Sequence, residues 1–308
     1  MPQEEIFDVI IVGAGAAGLT AGIYSSRAKL STLILNEGAI GGQMVLTEEI
    51  ANYPGVDTKK GYMLANTMKM QAKQFGCKIK SGLQIKSYDL EGEVKHFVLD
   101  DGREFSSRAV ILTPGGRPRS LGIPGEESFK GKGISYCATC DGEFFTGKEV
   151  VVVGGGNSAL EEAVALTSYA TRVTIVHQFD HFQAFKHAVE QAEKNPKISF
   201  IMESELRSFK GDGVLQEVTM EHLPKGKITT MRTDGVFIFA GYIPNTEDLD
   251  GIVELNERKE IVTDTDLKTN LPGVFAAGDC IVKKYRQVTT AVADGTIASL
   301  SAAEYLRS

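Results

Sequence analysis

The chain has 308 residues, room for two domains at roughly 100 to 200 residues each, and its 42% apolar and 24% charged content is that of a folded globular protein rather than a disordered or fibrous one. Lys and Arg number 33 against 40 Asp and Glu, a formal net charge of -7 with no basic block, which argues against nucleic acid as a ligand. The acidic opening Met-Pro-Gln-Glu-Glu is unlike a signal peptide, and no apolar run approaches the roughly 20 residues that cross a bilayer, so a cytoplasmic protein without a membrane partner is expected.

In chain order, Asp8 to Val12 is an apolar run of strand type, followed by Gly13, Gly15 and Gly18, a helical stretch to about Arg27 and a second strand from Thr32 to Leu35. A breaker-rich segment, Thr113-Pro114-Gly115-Gly116-Arg117-Pro118, marks a boundary. The same grammar then returns as a strand from Val150 to Val153, Gly154, Gly156 and Ala159, a helix from Asn157 to Tyr169 and a strand from Arg172 to Val176. A second breaker segment, Gly241-Tyr242-Ile243-Pro244-Asn245, leads to an apolar run from Gly273 to Ala277, then Gly278-Asp279 and a final helix from about Thr289 to Leu306.

Two strand-turn-helix repeats of this kind predict an α/β protein with two Rossmann-like nucleotide-binding domains. In each, the first glycine permits the tight turn, the second lets a pyrophosphate approach the backbone, and the third position must be small for the helix to pack on the strand. The boundaries place residues 117-243 as a domain inserted into one formed by 1-116 and 244-308.

About 20 residues beyond such glycines an acidic side chain holds a ribose hydroxyl, whereas cationic residues hold a 2′-phosphate. The first repeat has Asn36-Glu37 there, suited to an adenosine without the phosphate, as in FAD or NAD. The second reads His177-Gln178-Phe179-Asp180-His181-Phe182-Gln183, with no lysine or arginine before Lys186. Each hydrogen bond to a charged group contributes roughly 1.5 to 3 kcal/mol, so losing two or three arginines lowers affinity for NADPH by orders of magnitude unless lysines elsewhere, such as Lys186, replace them. Asp180 could bind the ribose of NADH. His177 and His181 lack the further ligands of a metal site, and none is expected.

Cys137-Ala138-Thr139-Cys140-Asp141 pairs two thiols at redox spacing with an acid immediately after them. A zinc knuckle would need a second ligand pair, and Cys77 and Cys280 stand alone in sequence; an inert reduced pair is the other alternative.

Along essentially the whole chain these residues resemble the low-molecular-weight thioredoxin reductase family. The resemblance rests on Gly13-Ala14-Gly15-Ala16-Ala17-Gly18, Gly41-Gly42-Gln43, Asn52-Tyr53-Pro54-Gly55, Tyr136-Cys137-Ala138-Thr139-Cys140-Asp141-Gly142, Gly154-Gly155-Gly156-Asn157-Ser158-Ala159, Ala276-Ala277-Gly278-Asp279 and Tyr285-Arg286-Gln287, in that order. It implies FAD in the first domain, a redox dithiol in an inserted pyridine-nucleotide-type domain that rotates against the first, a homodimer, and reduction of thioredoxin or a thioredoxin-like protein. Matched position by position, it makes Cys140 the sulfur facing the flavin, Cys137 the sulfur attacking the partner's disulfide, and Asp141 the acid and base. Flavin contacts would come from Gly13, Gly15, Ala16 and Gly18, from Asn36 and Glu37, from Gly42, Gln43, Thr47 and Asn52, from Gly278 and Asp279, and from Arg286, Gln287 and Val288.

The chain departs from that family at the second nucleotide turn. Gly154, Gly156, Asn157, Ser158 and Ala159 are kept, but where NADPH-dependent members carry His-Arg-Arg with another arginine four residues on, this chain has His177, Gln178 and Phe179, and then Gln183. A smaller departure is Thr113-Pro114-Gly115 in place of Ala-Thr-Gly. The resemblance therefore implies an altered or vestigial nicotinamide site and a donor other than NADPH, with reduced ferredoxin ahead of NADH. Lys59-Lys60 and Lys283-Lys284 are the candidate docking lysines for an acidic ferredoxin. Two other functions fit the same residues: a dithiol oxidase passing electrons through FAD to oxygen, and a non-catalytic redox-responsive flavoprotein. In an oxidase, Phe179, Phe182 and Phe185 would line a filled pocket; otherwise they pack as one face of an amphipathic helix.

Overall fold

A run that is apolar at nearly every position, rather than every second one, suits a strand buried on both faces. Ile6–Val12 is such a run, and in the computed structural model, which describes residues 6–46, 50, 52–57 and 60–307, it pairs in parallel with Thr32–Asn36 on one side and Glu104–Leu112 on the other. Among the described residues seven strands make this sheet, in the order Lys78–Ser81, Thr32–Asn36, Ile6–Val12, Glu104–Leu112, Lys95–Leu99, Ile85–Asp89, with Val274–Ala276 also paired to Glu104–Leu112. The chain divides into two compact units, Met1–Arg117 with Ile243–Ser308, and Pro118–Tyr242.

In the first unit the helix Ala16–Arg27 follows directly on the first glycines and packs against the last helix, Val288–Tyr305. The two backbones meet closely because Gly295 has no side chain: a Cβ there would stand 2.2 Å from the Ala17 carbonyl oxygen. A Ser25–Ser299 hydroxyl contact of 2.8 Å ties the same pair of helices farther along. The core beneath them is one cluster centred on Ile10, Ile11, Leu33, Ile34, Val110, Ile111 and Phe275.

The second unit repeats the design on a smaller scale, with parallel strands in the order Ile198–Ile201, Arg172–Val176, Glu149–Val153, Gly235–Ile238, Ile134–Ser135. A three-stranded antiparallel sheet, Ser204–Asp212, Val214–His222 and Lys227–Arg232, is added to it. Its nucleotide-type helix spans Asn157–Leu166, three residues shorter than the sequence pattern predicts. The chain turns there because the Thr167 hydroxyl bonds back to the Val164 carbonyl and the Tyr169 carbonyl accepts the Gly147 N–H instead of continuing the ladder. A second expectation is also corrected: Phe179, Phe182 and Phe185 do not form a helix face, since the helix starts only at Lys186. The segment before it is held extended by Gln183 N–H to the Gly155 carbonyl, 2.8 Å, and Phe185 N–H to Asn157 Oδ1, 2.7 Å.

Candidate active site

Cys137 and Cys140 are joined in a disulfide with their Cα atoms 5.3 Å apart, at the start of the short helix Ala138–Asp141. Ala138 is buried against the helix Asn157–Leu166, and Gly142 is small where Leu166 and Tyr169 press on the turn, so the nucleotide-type helix is also the floor under the dithiol. The Cys140 N–H donates to Cys137 Sγ at 3.2 Å, an arrangement that favours negative charge on Cys137 sulfur once the bond is reduced.

Ser135 links the dithiol to the acid. Its hydroxyl donates to Asp141 Oδ2 at 2.6 Å and accepts the Cys137 N–H at 3.1 Å. Burial pushes the Asp141 carboxyl above its usual range, and the Ser135 hydrogen bond offsets part of that shift. A second carboxyl, Glu162, reaches the same turn through a hydrogen bond with Thr139; burial and the neighbouring Glu161 push it up as well. Cys77 and Cys280 are buried thiols raised to about 12, too inert to exchange with the pair.

At the glycine turn of the first unit, Gly13 has φ 102°, and a Cβ there would overlap the Thr113 carbonyl oxygen at 2.2 Å. Gly18 lies 2.0 Å, as a hypothetical Cβ, from the Gly13 carbonyl oxygen, whereas a Cβ on Gly15 would meet nothing within 4 Å. The first and third glycines thus close the turn and the second leaves its outer face open. Gly15 caps the helix Ala16–Arg27 without a side-chain bond, and no acid stands in the first turn. Asn36 braces the turn, Oδ1 accepting the Ala14 N–H at 2.9 Å and Nδ2 donating to the Gly38 carbonyl at 2.6 Å. Gly41 donates to the Ala14 carbonyl at 2.7 Å, and Gly42 lies directly against Gly15.

Asp279 is half-buried on the same unit, its Oδ1 fully buried and without a hydrogen-bond partner among the described residues. Burial raises its carboxyl, Lys283 and Arg286 pull it down, and Asp294 pushes it up. Asn52 Nδ2 donates to Gln287 Oε1 at 3.4 Å, and Gln287 caps the helix Val288–Tyr305 in a reciprocal arrangement with Thr290. Thr47 lies outside the described residues.

In the second unit, Gly154 keeps the left-handed conformation of the turn at φ 134°, Gly156 caps the helix with open space beside it, and a Cβ on Gly154 would stand 3.1 Å from the Ala159 Cβ. His177 is buried against Gly155 and stacks on Phe182, with its Nε2 unpaired among the described residues and burial lowering its basicity. Gln178, Phe179 and Gln183 are exposed, and Asp180 pairs with His181 at 2.7 Å. Lys186 is exposed as well, 3.9 Å from Glu190.

Residues 7–295 match the pyridine nucleotide-disulphide oxidoreductases. The chain is 43% identical over 311 residues to the thioredoxin reductase of Peptoclostridium acidaminophilum, covering 99% of this chain and 98% of that one, and 42% identical over 307 residues to that of Bacillus subtilis (strain 168), covering 99% and 96%. The solved thioredoxin reductase from Streptococcus pyogenes MGAS5005 superposes with a TM-score of 0.93 at 38% identity, covering 99% of each chain. The chain belongs to the low-molecular-weight thioredoxin reductase family, within the pyridine nucleotide-disulphide oxidoreductases. It is accordingly a flavin-dependent disulfide oxidoreductase, and its cofactor is FAD.

The first unit fits that cofactor. An open, uncapped helix N-terminus next to a glycine turn suits a pyrophosphate, and the unpaired Asp279 oxygen is a buried acceptor that only a ligand hydroxyl or a water would complete. Both polar atoms of the Asn36 side chain are spent on bracing the turn, and Glu37 Oε1 accepts the Ile85 N–H at 3.3 Å. Ser135, Glu162, Glu260 and the Lys283–Asp294 pair escaped the reading of the sequence. Ser135, two residues ahead of Cys137, lay within reach of that reading as a hydroxyl beside a redox thiol; the others are brought to their sites only by folding.

Proposed function

We propose that this protein is a thioredoxin reductase whose electron donor is not NADPH, and that reduced ferredoxin, ahead of NADH, supplies the electrons. The carrying observation is the second nucleotide turn: its glycines are kept, but exposed Gln178, Phe179 and Gln183 offer no cation to a 2′-phosphate, and the nearby Asp180 carboxylate, held charged by His181, would repel one. The dithiol domain in this reading is the inserted segment 117-243, and the protein acts as a cytoplasmic homodimer on thioredoxin or a thioredoxin-like protein.

When bound, FAD supplies a two-electron carrier between donor and dithiol. Gly13, Gly15, Ala16 and Gly18 would form the turn that receives its pyrophosphate, Glu37 would hold a ribose hydroxyl and Asp279 a hydroxyl of its chain, with Gly42, Gln43, Asn52, Gly278, Arg286, Gln287 and Val288 around them. The Cys137–Cys140 bond accepts two electrons and two protons and opens to two thiols. Cys137, the sulfur that accepts the Cys140 N–H, attacks one sulfur of the partner's disulfide as a thiolate, forming a mixed disulfide and expelling the partner's other sulfur as a thiolate. Cys140 then attacks Cys137 Sγ, breaks the mixed disulfide, restores the Cys137–Cys140 bond and releases, as a thiolate, the partner sulfur that Cys137 held. Asp141, poised by burial and held by Ser135, takes up the proton that the attacking thiol gives up and passes it to the sulfur that leaves, so that each exchange returns it to its starting state.

An anaerobic titration tests the reading by following flavin absorbance as NADPH, NADH and reduced ferredoxin are added to separate samples of oxidised protein. Bleaching by ferredoxin with silence toward NADPH is expected. Rapid bleaching by stoichiometric NADPH would overturn the reading of the missing arginines, and silence toward all three donors with oxygen uptake on addition of a dithiol would identify an oxidase instead.

A further inference from the structure

Lys283 and Lys284 look in sequence like a surface pair, but the Lys283 ammonium is ion-paired with Asp294 and only 12% exposed, its partner 17%. Burying a lysine and an aspartate this far strips both of water, so the pair needs a geometric reason. Asp294 supplies one. The oxygen that meets Lys283, Oδ2, also accepts the Gly278 N–H at 3.2 Å. Gly278 has φ 88°, and a Cβ on it would stand 3.0 Å from the Ala17 Cβ, so the clamped turn is pressed onto the first-glycine helix.

The next residue, Asp279, carries the buried unpaired oxygen. Its surroundings are held from the other side by Arg286, whose Nε donates to the Asp279 carbonyl at 3.3 Å and whose guanidinium pairs with Glu260. The groups facing the Asp279 carboxyl are therefore the cations Lys283 and Arg286, the anion Asp294, and the buried Cys280 thiol next to it in sequence; Glu260 faces Arg286.

We propose that Lys283 is a positioning residue of the flavin site, clamping the Gly278–Asp279 turn through Asp294 so that the Asp279 carboxylate is held in place to accept a hydrogen bond from FAD. The proposal rests on Asp279 as a flavin contact. Lys283 acts twice: it fixes the turn, and as one of two facing cations it opposes the rise that burial imposes on the Asp279 carboxyl. Without it, Asp294 becomes an unpaired anion and Asp279 takes up a proton at higher pH.

The test is FAD affinity of apoprotein, read by quenching of flavin fluorescence between roughly pH 5 and 8, for wild type, Lys283→Met, Lys283→Arg, Asp294→Asn and Asp279→Asn. Lys283→Met is expected to weaken FAD about tenfold or more and to move the pH at which affinity falls upward. Lys283→Arg should restore both. Asp294→Asn, which removes the opposing anion along with the clamp, should weaken binding without the upward move. Lys283→Met binding FAD like wild type at every pH overturns the proposal, as does weaker binding with an unmoved pH profile, which is simple loosening. Should Lys283→Met not fold, Asp294→Asn with wild-type affinity overturns it. Asp279→Asn with undiminished affinity would instead sink the assignment of Asp279, whatever Lys283 does.

Discussion

At the scale of single residues, Asp141 is governed by opposing effects, burial raising its carboxyl and the Ser135 hydroxyl pulling it back. A raised carboxyl keeps its proton to higher pH, so the step that needs an acid slows as pH rises through that raised value, and the step that needs a base gains. Asp141→Asn removes both roles: thioredoxin turnover should fall about 100- to 10,000-fold and lose that titration from its pH profile, while flavin reduction by the donor stays rapid in stopped-flow absorbance. A variant that keeps the titration would assign it elsewhere, with Glu162 the next candidate because it too is raised and bonded to Thr139. The same shift has a consequence for stability. A group raised by folding contributes stability that is complete below its unfolded pKa and is lost as pH rises through the folded one, so Asp141→Asn should gain stability relative to wild type on going from acid to neutral pH.

At the scale of elements, the two glycine turns were legible because each glycine answers a backbone demand that sequence spacing records. Gly13 needs φ 102°, Gly18 and Gly295 need the absence of a Cβ, and Gly15 needs neither, which marks it as the residue left open for the ligand. Substitution separates these uses. Gly295→Ala should cost about 1 to 3 kcal/mol of stability, since its Cβ must push the Ala17 carbonyl away, and thermal unfolding of apoprotein would show it. Gly15→Ala should leave the apoprotein's unfolding temperature unchanged and weaken FAD, because the methyl projects from the open face of the turn. Equal loss of stability in both variants would mean that Gly15 is packed rather than open. What the pattern did not reveal is where elements stop. The helix from Asn157 ends at Leu166, where the Thr167 hydroxyl turns back to Val164 and the Tyr169 carbonyl takes the Gly147 N–H, and the segment before Lys186 stays extended because Gly155 and Asn157 capture the Gln183 and Phe185 N–H groups; the Gly147, Gly155 and Asn157 contacts join segments far apart in sequence.

At the scale of the whole molecule, a reductase of this kind must match three redox partners, and two of them are written in the chain as the flavin turn and the dithiol. The donor was the hardest to read, because the proposal for it rests on side chains that are absent rather than present. Of the lysines offered by sequence as a docking surface, Lys283 is taken up by Asp294, Lys60 and Lys284 are exposed, and Lys59 lies outside the described residues. The nicotinamide side can be tested by restoration. The backbone of the second turn is intact, with Gly154 at φ 134° and open space beside Gly156, and Gln178, Phe179 and Gln183 stand exposed with room for longer side chains. The triple variant Gln178→Arg, Phe179→Arg, Gln183→Arg places three guanidinium groups where a 2′-phosphate would need them, each worth roughly 1.5 to 3 kcal/mol as a charged hydrogen bond. It should acquire NADPH-dependent bleaching of its flavin, lose that gain in high salt as the phosphate contacts are screened, and show a smaller gain with NADH, which lacks the phosphate. If the triple variant binds neither nucleotide, the obstacle is not the missing charge but the site they flank, where the His177 ring covers Gly155 and Gln183 is bonded to its carbonyl. The donor would then be excluded by the shape of the second turn as well as by its charge.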